Sequence, residues 1–160
     1  MLNNCMFVVP GEPQSKERPR TVRRAGGVRT YTPQKTHRYE DLVRYFALNA
    51  RKEHHIDKPI NSECGVTIKA YFGVPKSFSK KRRELCLEGK ERPTKKPDSD
   101  NIAKIIFDGM NPKTRLNKAL HKMCVLQEGF YKDDKQIVSH TVEKWYSEHP
   151  RVEVAVTWQN

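Results

Sequence analysis

The chain lacks the pieces that several large enzyme classes need. No G-x-x-x-x-G-K-[ST] loop is present, so nothing cradles a triphosphate and no nucleotide cofactor is expected. The pairing of H-x-E with P-C-x-x-C is missing, which excludes a zinc deaminase. Cys5, Cys64, Cys86 and Cys124 are far apart and form no C-x-x-C pair, so reduced thiols explain them better than disulfides or zinc. The six histidines are scattered, and His54 and His55 are adjacent rather than a helical turn apart. No long apolar run or signal peptide stands out, which predicts a soluble, cytoplasmic protein with no membrane partner. Acid is also scarce: 19 Asp and Glu face 31 Lys and Arg, for a net charge of +12. That imbalance points to a polyanionic partner. At 160 residues, with 36% hydrophobic and 31% charged residues, the chain predicts one globular domain able to bury a core.

Against this basic background, acids gather in one place, Lys96-Pro97-Asp98-Ser99-Asp100-Asn101-Ile102-Ala103-Lys104-Ile105-Ile106-Phe107-Asp108. Pro97 disfavours helix in the residue before it, and Asp98 or Ser99 can then cap a helix. Ile102, Ile105, Ile106 and Met110 give that helix an apolar face, while Asp100, Lys104 and Asp108 step by four along the other side. Phe107 also falls on the polar side, about 20° from Asp100 at 100° per residue. An aromatic ring there is available to stack on bases, or to be covered by another part of the protein. Asp98 and Asp100 lie before or within the first turn, where their carboxylates can converge. Convergent carboxylates repel, and a divalent cation with oxygen ligands relieves the repulsion.

Around this helix the pattern predicts an α+β domain, a mixed sheet packed against helices. Strands are expected at Met6–Val9, at Cys64–Val74, from Gln136 to Val142 and at Arg151–Trp158. Thr32-Pro33 opens a helix running to about Arg51, with Tyr39, Leu42, Val43, Phe46 and Leu48 or Ala50 inward. Ser77 or Ser79 caps a second helix ended by Gly89. Lys16 to Tyr31 carries Arg18, Arg20, Arg23, Arg24 and Arg29. A Gly26-Gly27 turn there would set Arg24 opposite Arg29, a repulsion that phosphate would relieve. Leu116, Ala119, Leu120, Met123 and Cys124 have helical spacing, which predicts a short helix within about 111–131.

The acidic stretch, followed by Asp133-Asp134-Lys135-Gln136-Ile137-Val138, resembles the RusA family. These are Holliday-junction resolvases, or crossover junction endodeoxyribonucleases, of bacteria and their prophages. Their pattern runs P-D-x-D-N-x-x-K, an aspartate four residues on, then D-D-x-Q and an apolar pair. Val9-Pro10-Gly11-Glu12-Pro13 with Lys16, Arg18, Pro19 and Arg20, and Val142-Glu143-Lys144, are similar to the family too, so the likeness spans residues 1–160. Asp108 and Asp133 are further apart than the family pattern leads one to expect, which marks 111–131 as an inserted helical segment. The resemblance implies a structure-specific nuclease that cuts two symmetric strands of a four-way junction in recombination and repair. It implies Mg²⁺, as one ion or two, on Asp98, Asp100 and Asp134. Lys104 would stabilise phosphoryl charge or hold a carboxylate, Asn101 would orient an aspartate, and Asp133 would support from behind. Lys16, Arg18, Arg20, Arg24, Arg29 and Phe107 would contact DNA. Paired cuts imply a homodimer. Two other readings stay open: a non-catalytic basic DNA-binding module whose acids only cap and solubilise, and a nuclease acting on flaps or other branched DNA.

Overall fold

In a computed structural model covering residues 1–160, one mixed sheet carries two helices on one face. Its strands are β1 (Leu2–Pro10), β4 (Cys64–Gly73), β7 (Ile137–Ser147) and β8 (Arg151–Gln159), in the order β1-β8-β4-β7. Strand β8 runs antiparallel to both neighbours, whereas β4 and β7 are parallel, with Ile68 beside Val142. The strict alternation of β4 and β8 is what makes them central. Val66, Ile68, Ala70 and Phe72 of one, and Val152, Val154 and Val156 of the other, are buried on a single face. Each such side chain contributes about 1.5–3 kcal/mol of transfer free energy if it is a valine or larger.

That face is covered by α1 (Gln34–Glu53) and α3 (Ser99–Met110). From α3 come Ile102, Ile105, Ile106 and Met110, all buried, as the periodicity predicts. The contribution of α1 is rotated from expectation. Tyr39, Val43 and Ala50 are inward, but Leu42 is exposed, and Thr36, Glu40, Arg44 and Arg51 are buried in its place. These polar side chains sit inside because the structure gives most of them partners. Arg44 donates to the carbonyls of Asp108 and Asn111, Arg51 to those of Ile56 and Gly129, and Glu40 pairs with Lys16. The short α2 (Lys80–Leu87) is capped by Ser79, whose hydroxyl accepts from the Arg82 N–H.

Two hairpins stand outside the sheet. In the first, β2 (Arg20–Arg24) pairs with β3 (Gly27–Tyr31), and Arg24 lies opposite Gly27 while Val22 lies opposite Arg29. The expected Arg24–Arg29 pairing is therefore incorrect. Gly27 is at φ +124°, and this left-handed residue closes an Ala25-Gly26 turn instead of sitting within it.

The second hairpin corrects the expected helix in 111–131. The segment forms β5 (Lys113–Asn117) and β6 (Lys122–Gln127), with Leu116 opposite Met123 and Thr114 opposite Val125. Helical spacing there is coincidental, because Pro112 stops α3 and the Asn117 side chain accepts from the N–H groups of Ala119 and Leu120 to form a tight turn. Leu116, Met123 and Val125 share one exposed face of this hairpin. Its two ends meet: the Phe130 N–H donates to the Met110 carbonyl at 2.8 Å. Gly129 makes that closure fit, since a Cβ there would stand 2.4 Å from the Met110 oxygen.

Candidate active site

Helix α3 and the start of β7 build an open cleft of about 290 Å³, lined by Asp100, Ala103, Lys104, Phe107, Asp108, Asp134 and His140. Asp100, Lys104 and Asp108 reach it because they lie one helical turn apart on the side of α3 away from the sheet core. Asp134 comes from a single 3₁₀ turn, Asp134–Gln136. The D-D-x-Q sequence explains that turn. Asp133 caps it by accepting from the Lys135 N–H at 2.9 Å, and the same hydrogen bond holds the Asp133 carboxyl below the usual range. Gln136 accepts from the N–H groups of Lys132 and Asp133 with its oxygen. Its Nε2 donates to the carbonyls of Ile60 and Ser62, both at 2.9 Å. The Asp133 and Gln136 side chains thus fix the backbone of the motif, and Asp134 lines the cleft.

Because β7 runs back along α3, Asp134 meets the C-terminal half of the helix. Asp98 is at the other end, as the N-cap residue of α3. The Asp98 carboxylate accepts from Asn101 Nδ2 at 2.6 Å and does not line the cleft. One cleft is thus lined by Asp100, Lys104, Asp108 and Asp134, with Asp100 and Asp134 toward its opposite ends, while Asp98 and Asn101 lie outside it. No group of three or more His, Cys, Asp or Glu side chains is close enough to share one ion. The donor set nonetheless fits a hard cation. Its available donors are carboxylate oxygens, and Mg²⁺ is ordinarily held through one or two carboxylates with water completing the shell.

Of the basic residues expected at DNA, Arg18, Arg20, Arg24 and Arg29 are exposed on or beside the first hairpin. Lys16 is placed differently. Its ammonium pairs with Glu40 and, at 3.0 Å, with Asp108. Burial lowers the pKa of this ammonium, but the hydrogen bonds and charges of Glu40 and Asp108 outweigh it and hold the group above the usual lysine value. The Lys16 N–H also donates to the Asn101 carbonyl, so the basic segment is tied to α3 at its root.

Phe107 is half-buried at the margin of the core, its ring edge-on to His140 at 5.2 Å between centroids. Tyr131 fixes the backbone beneath it by donating its hydroxyl to the Phe107 carbonyl at 2.6 Å, and burial raises the phenol well above its ordinary pKa. Sequence reasoning missed His140 at the cleft and Asn111, whose side chain meets Asp134. His140 was legible only through its place in β7, and Asn111 gave no local signal beyond ending the helix. A larger hollow, about 480 Å³, lies at the second hairpin between Arg115 and Leu126 but has no acidic lining and no link to this chemistry.

The likeness to known proteins runs through both the α3 and the Asp134 segments. The family model described as "Endodeoxyribonuclease RusA" matches residues 10–118 and 116–157, two segments that meet within the second hairpin. A protein of Bacillus subtilis (strain 168) described as "Uncharacterized protein YqaN" is 38% identical over 152 residues, which cover 94% of this chain and 93% of that protein. The class the family model defines is that of the endodeoxyribonucleases, enzymes that hydrolyse DNA internally. The chain belongs to the RusA endodeoxyribonuclease family.

Proposed function

We propose that the protein is a Mg²⁺-dependent resolvase that cuts Holliday junctions on two symmetric strands during recombination and repair. The observation that carries this reading is the cleft where Asp100 and Asp134 face Lys104 on a chain of net charge +12. Asp98, Asp100 and Asp134 would hold the metal, as one ion or two. Bound there, Mg²⁺ supplies charge stabilisation on the phosphoryl oxygens and an attacking water at neutral pH. Lys104, exposed one turn beyond Asp100, meets the charge that grows on the phosphoryl group. Asn101 and Asp133 hold their neighbours in place, and Phe107 meets bases loosened at the branch point. Since one chain has one such cleft, paired cuts call for a homodimer with two-fold symmetry. A DNA substrate would suit a cytoplasmic protein; no helix is long and apolar enough to cross a membrane.

The test compares a four-way junction with linear duplex and flapped DNA, each with Mg²⁺ and with EDTA. Paired, symmetric nicks in the junction alone are expected. Preference for flaps would reassign the substrate, and binding without cleavage would leave a non-catalytic module.

Affinity should come largely from the exposed arginines of the first hairpin and its approach, through phosphate contacts that ignore sequence. Replacing Arg18, Arg20, Arg24 and Arg29 together with glutamine should make the slope of log K against log salt shallower by about 3 to 4. An unchanged slope, measured by fluorescence anisotropy, would remove this segment from the DNA interface.

A further inference from the structure

We propose that Asn111 is a positioning residue that holds the Asp134 carboxylate toward the cleft; this rests on reading the cleft as the nuclease centre. The two residues are 23 positions apart and engage through both ends of one amide. Asn111 Nδ2 donates to Asp134 Oδ2 at 3.1 Å, and Asn111 Oδ1 accepts from the Asp134 N–H at 2.9 Å. The backbone N–H can only donate, so the amide oxygen must face it and the amide nitrogen must face the carboxylate. One carboxylate oxygen is thereby tied to the end of α3.

Asn111 is itself immobilised, which a positioning residue requires. It follows the last residue of α3, and its N–H donates to the carbonyls of Phe107 and Asp108. Its own carbonyl accepts from the buried Arg44 Nε at 2.8 Å. The following Pro112 favours the extended backbone seen at Asn111, φ −66° and ψ 155°. Only the side-chain torsions are left free, and the two bonds to Asp134 fix those.

The effect is to couple the two halves of the site. Asp100 and Lys104 belong to α3, whereas Asp134 belongs to a one-turn loop that Gln136 pins from the opposite side. The Asn111 Nδ2 hydrogen bond is what ties the Asp134 side chain to the end of α3. No other natural side chain of this length supplies a donor and an acceptor at the spacing of an amide. Aspartate keeps the shape but loses the donor, and alanine loses both.

The experiment measures Mn²⁺ binding to the free protein by electron paramagnetic resonance, alongside junction cleavage, junction affinity in EDTA and Tm. Wild type is compared with Asn111→Ala and Asn111→Asp. The expected result is Mn²⁺ affinity about tenfold weaker in Asn111→Ala, the scale of losing a residue that orients a metal ligand. Half-saturation of cleavage should move to higher metal by a similar factor, with junction affinity in EDTA unchanged. Asn111→Asp should also lose cleavage despite its matching shape, which separates the missing donor from lost packing. If both variants bind Mn²⁺ as wild type does, or if cleavage falls only in step with Tm, the positioning role is wrong. If wild type itself neither binds Mn²⁺ nor cleaves, the reading of the cleft fails first and this role falls with it.

Discussion

Replacing Asp134 or Asp100 with asparagine should lower junction cleavage by about a hundred- to a thousandfold, the scale of removing one group that stabilises transition-state charge. Junction affinity should hold or rise, because each substitution removes negative charge beside a phosphate. Neither change should disturb folding. Asp100 is exposed, and the Asp134 backbone is fixed by hydrogen bonds that the substitution leaves alone. Single-turnover cleavage with saturating enzyme separates this loss from weak binding. Asp98→Asn should lose cleavage as well, provided the Asp98 carboxylate leaves Asn101 when DNA and metal arrive. Wild-type cleavage by that variant would confine the ion to Asp100 and Asp134.

Arg44→Ala should destabilise the protein by about 3–5 kcal/mol, the cost of breaking a buried charged network from one side. For a chain of this size that is a fall in Tm of roughly 10 °C or more. Arg44 is 4% exposed, with its Nε on the Asn111 carbonyl and one terminal nitrogen on the Asp108 carbonyl, so it closes off the last turn of α3. Alanine would strand two carbonyls and leave a cavity. Arg44→Lys should recover little, since an ammonium cannot span both carbonyls as the planar guanidinium does. Calorimetry checks both variants. A Tm within a degree or two of wild type would mean that water replaces the side chain at the helix end.

The elements that sequence made legible are those whose burial follows one period. The isoleucines of α3 and the valines of β4 and β8 name their own faces, and the acids of α3 stand where their spacing puts them. Helix α1 misleads by a rotation because Arg44 and Arg51 are buried through bonds to distant carbonyls, which hydropathy cannot register. The 111–131 stretch misleads because five apolar residues happen to recur at helical intervals across a turn. Asp134 was recognisable as a motif residue, but the direction of α3 relative to β7 decides which end of the helix it meets. That direction is set by tertiary packing. The Asn111–Asp134 pair is invisible for the same reason, being a contact between two segments whose local patterns say nothing of each other.

The closure between Met110 and Phe130 makes the stretch between them removable in principle and extendable in practice. Chain that leaves and returns at one point transmits little of its own length to the site, and doubling such a loop costs only about 0.6 kcal/mol of closure entropy. The turn at 118–121 is therefore a natural insertion point for a peptide tag or a fluorophore-bearing cassette. Asn111, Pro112 and Gly129 mark how far such a graft can reach before it loosens the Asp134 carboxylate.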